Sequence, residues 1–228
     1  EKGFKVDAVK EGAGNGTASA LSFGTGGESG TYYAFGGVLA SFVSGKSNCK
    51  VTALTSGGSQ ANVEDLTNGN VQLAFVQSDV MNYAYNGQRL FDSPVTGFSV
   101  VAQLYQEQVQ IVTTNPDIKT VADLAGKKVS IGAAGSGVYF NAIDVLSAYD
   151  LKESDISAVY QSFGDSAESL KDGKIDAAFI VAGAPTTAIT DLATAGSVYL
   201  VSLDDSHVQS LLSASPYYTA ATIKAGTY

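Results

Sequence analysis

The segment LTNGNVQLAFV (residues 66–76) recurs as LKDGKIDAAFI (residues 170–180), with the same spacing of Leu, Gly and Ala-Phe. Each copy predicts the end of a helix, a glycine that caps it, and a buried strand. The strand portions are nearly continuous apolar runs, which are typical of parallel sheets covered on both faces. The recurrence therefore predicts two similar α/β units in one chain.

A second pair of segments recurs upstream of the first pair and in the same order. SFGTGGESGTYY (residues 22–33) and SIGAAGSGVYF (residues 130–140) each combine the end of a strand, a Gly-rich turn and the start of a helix. We expect these helices to extend to about Val43 and about Ala148. Any α/β protein repeats its βαβ units, but two different units at nearly the same offset favour two related lobes.

The predicted fold is therefore α/β, with two Rossmann-like lobes joined by a β-strand hinge. Residues 20–105 form lobe 1 and residues 106–215 form lobe 2, with hinge strands at about residues 100–114. The glycine-rich residues 1–19 predict a flexible N-terminal tether. Residues 216–228 are predicted to return towards lobe 1.

Open parallel sheets bind ligands at the carboxyl ends of their strands, where the Gly-rich turns and the loops after Ala-Phe stand. From lobe 1 we predict as ligand-binding residues Thr25, Gly30, Thr31, Tyr32, Ser56, Gln77 and Ser78. From lobe 2 we predict Ser136, Gly137, Val138, Asn141, Ala182 and Gly183. Amides at a helix start attract anions, so a ligand carboxylate is expected at the turn formed by residues 135–137.

Composition excludes several classes of partner. The net charge is −9, with 22 acidic against 13 basic residues, which disfavours nucleic acid and anionic membrane surfaces as partners. No apolar run approaches the roughly 20 residues of a membrane-spanning helix. Because the sequence begins with Glu1 and not Met, we expect a removed signal peptide or lipoprotein leader, with a cloning boundary as the alternative.

The sequence offers no constellation for catalysis, for a metal or for a cofactor. His207 is the one histidine and Cys49 the one cysteine, and His207 lies in what reads as a solvated helix start. The Gly-rich turn at residues 24–30 has one residue too many for a dinucleotide fingerprint. Arg89, the one arginine, lies in a predicted surface turn outside the cleft. We therefore predict a binding protein with no catalytic residues, no metal and no cofactor.

Several further segments resemble the TAXI group of TRAP-transporter solute receptors. They are GTGG (24–27) with Gly30, SGGS (56–59) with Asn62, AFVQSDV (74–80), LYQE (104–107), DLAGKKVSIG (123–132) and DGKIDA (172–177). The similarity covers about residues 20–228. Ala34, Gln106 and Ala134 stand where members of that group usually have proline, which bears on loop rigidity and on the shape of the pocket.

The resemblance implies a type II periplasmic-binding-protein fold. It also implies an extracytoplasmic receptor, in the periplasm or tethered as a lipoprotein, that hands its solute to a TRAP-type membrane permease. The implied ligand is a small acidic or amino-acid metabolite such as glutamate, glutamine or a 2-oxoglutarate-like dicarboxylate. An enzyme or an effector-sensing domain on the same two-lobed scaffold is the alternative.

Overall fold

The structure, a computed structural model, describes residues 19–228, so the predicted tether lies outside it except for Ser19. Eight strands form two separate sheets, one of three strands and one of five. Helices connect the strands in both parts of the chain. The predicted two-lobed α/β fold is confirmed.

Lobe 1 is built on a parallel sheet with the strand order β2-β1-β3. Its strands are β1 (Ala20–Gly24), β2 (Lys50–Leu54) and β3 (Leu73–Ala74). The helices that follow them are α1 (Thr31–Lys46), α2 (Ser59–Thr67) and α3 (Ser78–Asn86). Each helix starts at the carboxyl end of a strand, so three helix N-termini lie at one edge of the sheet.

Lobe 2 has a mixed sheet with the order β6-β5-β7-β4-β8. Its strands are β4 (Gln108–Thr113), β5 (Lys128–Ser130), β6 (Ser157–Val159), β7 (Ala177–Ala182) and β8 (Tyr199–Leu200). β4 is antiparallel to β7 and β8, whereas β5, β6 and β7 are parallel. The helices are α4 (Val138–Ala148), α5 (Phe163–Lys171), α6 (Thr187–Ala195) and α7 (Asp205–Ala214).

The sequence repeat corresponds to one local structure formed twice. Gly69 and Gly173 both have positive φ angles, of 74° and 66°, in the left-handed region that favours glycine. The amide of Gly69 donates to the carbonyl of Leu66, and the amide of Gly173 donates equivalently to the carbonyl of Leu170. Both glycines end a helix, α2 or α5, as the sequence predicts.

The hinge contains one regular strand and not two. β4 lies within the predicted hinge and forms six pairs with β7, from Gln108 opposite Ala182 to Thr113 opposite Ala177. Residues 100–105 were predicted to form the other strand, and this prediction was wrong. No described strand pairs with these residues, and an extended segment needs a partner for its backbone groups to become a β-strand.

Packing joins the two lobes as well as filling each of them. The largest core cluster surrounds β7 and β4 in lobe 2, with Ile111 and Phe179 at most 1% exposed. A separate cluster places Phe140 of lobe 2 among lobe 1 residues that include Val80 and Tyr83. The rings of Tyr83 and Phe140 are 5.4 Å apart, centroid to centroid. Apolar contact therefore holds the lobes together beside the cleft.

The segment at residues 216–228 was predicted to return towards lobe 1, but Tyr218 and Tyr228 contact lobe 2. Tyr218 packs against the main lobe 2 core, and Tyr228 donates a hydrogen bond to Gln110 of β4. Their hydroxyls find acceptors on this lobe, which fixes the segment there. Within residues 19–228, no helix has the length and apolar character needed to cross a membrane.

Candidate functional site

The cleft loops of the two lobes are in direct contact. The amide of Ala61 in lobe 1 donates to the carbonyl of Gly135 in lobe 2 at 3.0 Å. On the other side of the cleft, the amide of Ala188 donates to the carbonyl of Ser29 at 3.4 Å. The Gly-rich turns and the loops after Ala-Phe thus converge where the sequence predicts a binding cleft.

Glycines allow this close approach. A Cβ atom on Gly57 would lie 2.6 Å from the carbonyl oxygen of Ala134, and one on Gly137 would overlap the amide oxygen of Gln77. Gly183 lies against Thr31, whose hydroxyl oxygen would be 3.4 Å from an added Cβ. Four predicted binding residues therefore meet across the cleft in two pairs, Gly137 with Gln77 and Gly183 with Thr31.

Other predicted binding residues serve the structure of their own lobe. The Thr25 hydroxyl is buried and donates to the carbonyl of Leu54 at 2.6 Å. The Ser56 hydroxyl donates to the carbonyl of Thr25 and accepts from the amide of Gly58. Ala182 packs in a lobe 2 core, and Val138 is buried at the start of α4. Ser78 is exposed on the outside of the first turn of α3.

A chain of hydrogen bonds crosses the cleft from one lobe to the other. The Tyr32 hydroxyl lies 3.5 Å from that of Ser59, which in turn contacts the Gln77 side chain. Gln77 Nε2 donates to Asn141 Oδ1 of lobe 2 at 2.7 Å. Asn141 Nδ2 donates back to Asp79 Oδ2 of lobe 1 at 2.9 Å. Asn141 is thus bonded to two side chains of the opposite lobe.

Two carboxyl groups face this network. Glu107 Oε2 accepts a hydrogen bond from the Tyr32 hydroxyl at 3.1 Å, and Asp79 is 4% exposed. Burial, followed by the charge of Asp79, raises the pKa of Glu107 to about 8. Burial also raises the pKa of Asp79 above its usual range and that of Tyr32 well above its usual range. Desolvation disfavours the charged form of each group.

The N-termini of α1, α2 and α4 carry partial positive charge, opposite in sign to the two carboxyl groups. The first turns of α1, α2 and α4 contain no acidic residue, and none of these helices has a side-chain cap. Their N-terminal residues are preceded by Gly30, Gly58 and Gly137, which have no side chain of their own to cap the first backbone amides. Such amides carry partial positive charge and bind anions. The cleft therefore combines two carboxyl groups with several anion-binding amides.

Two hydroxyl groups in this region lack a partner among the described residues, although their oxygens are buried. They belong to Tyr105, which lies between Phe35 and Gly183, and to Ser136 in the second Gly-rich turn. A buried polar group without a hydrogen bond costs free energy, and native structures contain few of them. Groups of this kind are available to a bound polar molecule.

Open grooves continue outwards from the cleft. A groove of about 290 Å³ lies between the first Gly-rich turn and the start of α5, between Glu28 and Asp165. A second of about 460 Å³ lies on lobe 2 beside Tyr160 and Glu168. Neither was predicted from the sequence. Both are rimmed by acidic residues of the surface.

His207 and Arg89, which were not predicted to bind the ligand, each contact an aspartate. His207 stands in the first turn of α7 and contacts Asp204, the residue that caps this helix. Arg89 is exposed and pairs with Asp144 of lobe 2 at 2.6 Å, so it spans the rim of the cleft. Among residues 19–228, no group of three His, Cys, Asp or Glu side chains is placed to hold a metal ion.

Five residues that were not predicted as binding residues belong to the network or lie beside it: Ser59, Asp79, Tyr105, Glu107 and Tyr218. Four of them stand inside the TAXI-like segments SGGS, AFVQSDV and LYQE, so their positions carried a signal. Tyr218 carried none, because its contact with Asn141 joins residues 77 positions apart.

Comparison with known families places the chain. The sequence profile of the NMT1-like family matches residues 23–228. The chain belongs to the NMT1-like family. This match names the NMT1-like family and does not test the resemblance to TAXI receptors.

Solved structures similar to this NMT1-like protein are type II periplasmic binding proteins. The alkanesulfonate-binding protein of Xanthomonas axonopodis pv. citri, bound to MOPS, has 21% identity and a TM-score of 0.53 over 81% of this chain and 60% of its own. An amino-acid ABC transporter substrate-binding protein of Streptococcus pneumoniae, bound to L-arginine, has 16% identity and a TM-score of 0.55, with 80% and 75% covered. The GluR0 ligand-binding core with L-glutamate has 14% identity and a TM-score of 0.52, with 82% and 80% covered.

These similarities establish the fold as that of a solute-binding protein for small ligands. The chain spans between 56% and 60% of the length of several solved proteins that it matches. Two of the neighbours, from Streptococcus pneumoniae, are named as substrate-binding proteins of ABC transporters.

Proposed function

We propose that this NMT1-like protein is an extracytoplasmic receptor that captures a small carboxylate metabolite, of the glutamate, glutamine or 2-oxoglutarate type. The observation that carries the proposal is the hydrogen-bond chain from Tyr32 through Gln77 to Asn141. It lies at the carboxyl ends of the strands of both lobes, where open α/β sheets bind ligands. These hydrogen bonds form when the two lobes approach each other, and they are made by the same polar side chains that a ligand in the cleft would contact.

The helix starts support a carboxylate as one ligand group. The turn before α4 runs through Gly135, whose φ is +77°, and Gly137, and it lies against lobe 1 through the bond from the Ala61 amide to the Gly135 carbonyl. Fixed amides stabilise an anion without reorganisation. The exposed Arg89 is occupied by Asp144, so the amides are the available anion-binding groups near the turn. Thr31, which touches Gly183, adds a hydroxyl beside the start of α1.

A membrane permease is the proposed partner. The solved neighbours named as ABC-transport components deliver their solutes to transporters of that class. The motifs GTGG, AFVQSDV and LYQE instead resemble receptors of TRAP-type permeases, and we propose a permease of the TRAP type. Transport assays in cells lacking the neighbouring permease genes of either class distinguish the two partners.

A ligand screen tests the receptor function. Binding to the folded closed form stabilises it by RT ln(1 + [L]/Kd), about 2.7 kcal/mol at a hundredfold excess over Kd. We expect at least one amino acid or dicarboxylate to raise the melting temperature, and mass spectrometry to identify a co-purifying metabolite of that type. No shift with any small acidic or amino-acid metabolite, together with no co-purifying solute, contradicts the proposal.

A further inference from the structure

We propose that the cleft recognises a cationic nitrogen on its ligand, with the Glu107 carboxylate as the partner of that nitrogen. The solute is then an amino acid and not a 2-oxo acid or a plain dicarboxylate. This inference rests on the proposed receptor function and narrows it to one class of solute.

Glu107 stands where a ligand between the lobes meets it. It directly precedes β4, the strand that enters lobe 2, and its carboxylate accepts from the Tyr32 hydroxyl at the start of α1. Tyr32 in turn contacts Ser59 at the start of α2. Across the cleft, Gly137 lies against Ser59, whose hydroxyl oxygen would be 3.1 Å from an added Cβ. Glu107 is thus linked through Tyr32 to the starts of α1 and α2, and it stands where the chain enters lobe 2.

The described residues supply no cation to this carboxylate. The ion pairs within residues 19–228 join Arg89 to Asp144, Lys174 to Asp172, and His207 to Asp204. Neither Glu107 nor Asp79 takes part in one. The groups that act on Glu107 are the hydroxyl of Tyr32 and a second acid, Asp79. A buried carboxyl group without a cation is neutralised through a raised pKa, and a cation brought by a ligand would let it ionise and pair.

The raised pKa values of Glu107 and Asp79 agree with the lack of a cation beside them among the described residues. Burial and the charge of Asp79 raise the pKa of Glu107 to about 8, and burial raises that of Asp79 as well. An ammonium group within about 4 Å to 6 Å favours the ionised carboxylate and reverses such a shift. A ligand with only carboxylates brings negative charge to these two acids and no cation for either of them.

Tyr105 completes the subsite from the same segment. Its hydroxyl oxygen is buried and has no partner among the described residues, and it lies close enough to Glu107 for that charge to raise its pKa. The Tyr105 ring also approaches Gly183 of lobe 2, whose added Cβ would be 3.8 Å from Cε2. A nitrogen beside Glu107 therefore has a hydroxyl oxygen nearby as a second acceptor.

The two polarities of the cleft match a zwitterion. The uncapped start of α4 at Gly137 suits the carboxylate of an amino acid, and Glu107 suits its ammonium group. A 2-oxo acid keeps the carboxylate but replaces the cation with a carbonyl oxygen, which can only accept hydrogen bonds. The carbonyl oxygen brings no positive charge to Glu107, so this group forms no ion pair of the kind that an ammonium group makes with it.

Matched pairs of probes test the inference. We would measure melting temperatures with the twenty amino acids and with their 2-oxo acids, such as L-glutamate against 2-oxoglutarate, and then titrate the best pair by calorimetry. The amino acid is expected to bind at least about tenfold more tightly, a difference of about 1.4 kcal/mol. Equal or tighter binding of the 2-oxo acid overturns the inference but leaves the receptor function intact. No binding in either series overturns both.

Proton exchange gives an independent readout. Calorimetry at pH 7 in buffers of different ionisation enthalpy reports the protons that binding releases or takes up. Binding of an amino acid is expected to release protons, because the ammonium group ionises Glu107. Proton uptake on binding would mean that a protonated Glu107 donates to a ligand anion, and the inference would be wrong.

Glu107→Gln isolates the charge. Glutamine keeps an oxygen that accepts from the Tyr32 hydroxyl, so the variant is expected to fold, with a melting temperature at or above that of the unchanged protein. Its affinity for the amino acid should fall at least about tenfold, whereas that for the 2-oxo acid should change less than about threefold. Glu64→Gln, the same change on the exposed face of α2, is the matched control. Equal losses for both probes contradict the inference.

Discussion

Gly137 of lobe 2 lies so close to Gln77 of lobe 1 that a methyl group on Gly137 would overlap the amide oxygen of Gln77. The φ and ψ of Gly137 are −72° and −22°, in the helical region that any residue adopts. Its lack of a side chain is therefore required by the approach of the lobes and not by the backbone. Gly137→Ala should leave lobe 2 intact and prevent full closure.

We expect Gly137→Ala to weaken ligand binding by at least about tenfold, measured by calorimetry with the best ligand of the screen. The melting temperature of the free protein should fall little, because lobe 2 itself is unstrained. Gly45→Ala is the control, since a Cβ there meets no atom within 4 Å. Unchanged affinity in a folded Gly137→Ala protein would show that binding needs no contact between these loops.

The raised pKa of Glu107 predicts a pH dependence of stability. The folded protein binds a proton at Glu107 up to about pH 8, whereas the unfolded chain loses it near pH 4.3. The folded state thus holds more protons between these values, so the free energy of unfolding falls as pH rises through this window. Asp79, whose pKa is also raised, acts in the same direction.

Glu107→Gln should flatten this slope, which for one group is at most about 1.4 kcal/mol per pH unit. Urea unfolding of the ligand-free protein between pH 5 and pH 8 measures it, with Glu64→Gln as the control that keeps the slope. A slope that is unaltered in Glu107→Gln would mean that Glu107 titrates normally in the folded protein.

Asn62 positions the loops that form the lobe 1 side of the cleft. It is fully buried, and its Nδ2 donates to the carbonyls of Thr25 and Phe75 at 2.7 Å and 2.8 Å. Removing a donor from buried carbonyls costs about 1–3 kcal/mol, so Asn62→Ala should lower the free energy of unfolding by at least that amount. Asn70→Ala, on an exposed residue beyond the same helix, should change it by less than about 0.5 kcal/mol. Urea titration that ranks the two variants equally contradicts this role for Asn62.

The fold was predictable because its signals are local. The glycines at 69 and 173 need left-handed backbone, and the six residues of β7 are all buried, so the pattern of either repeat predicts its own structure. The position of the Gly-rich turns at the cleft was predictable as well, because loops at the carboxyl ends of parallel strands lie at one edge of the sheet. β3 was less predictable: it pairs with β1 over two residues, whereas β7 has a strand on either side.

The charged part of the site was not predictable in the same way. The roles of Glu107 and Asp79 depend on burial and on the absence of a cation among the described neighbours, and neither property is local in the sequence. The contact of Tyr218 with Asn141 depends on where a long segment after α7 comes to lie. Thr25 and Ser56 were selected as hydroxyls at strand ends, but backbone carbonyls take both hydroxyl protons.

Arg89 provides a test of how anions are held. It is exposed, and its ion pair with Asp144 joins the two lobes at the rim, with its guanidinium carbon 5.1 Å from the centre of the Tyr83 ring. Exposed ion pairs contribute about 0–1 kcal/mol, so Arg89→Ala should change ligand affinity by no more than about fivefold. Since the amides at the turn before α4 are expected to bind the carboxylate, loss of the one arginine leaves the ligand carboxylate bound.

Calorimetry on Arg89→Ala and Gly137→Ala, each shown to be folded, compares the two sites directly. If Arg89→Ala abolishes binding while Gly137→Ala binds normally, the carboxylate lies at the rim and not on the helix amides.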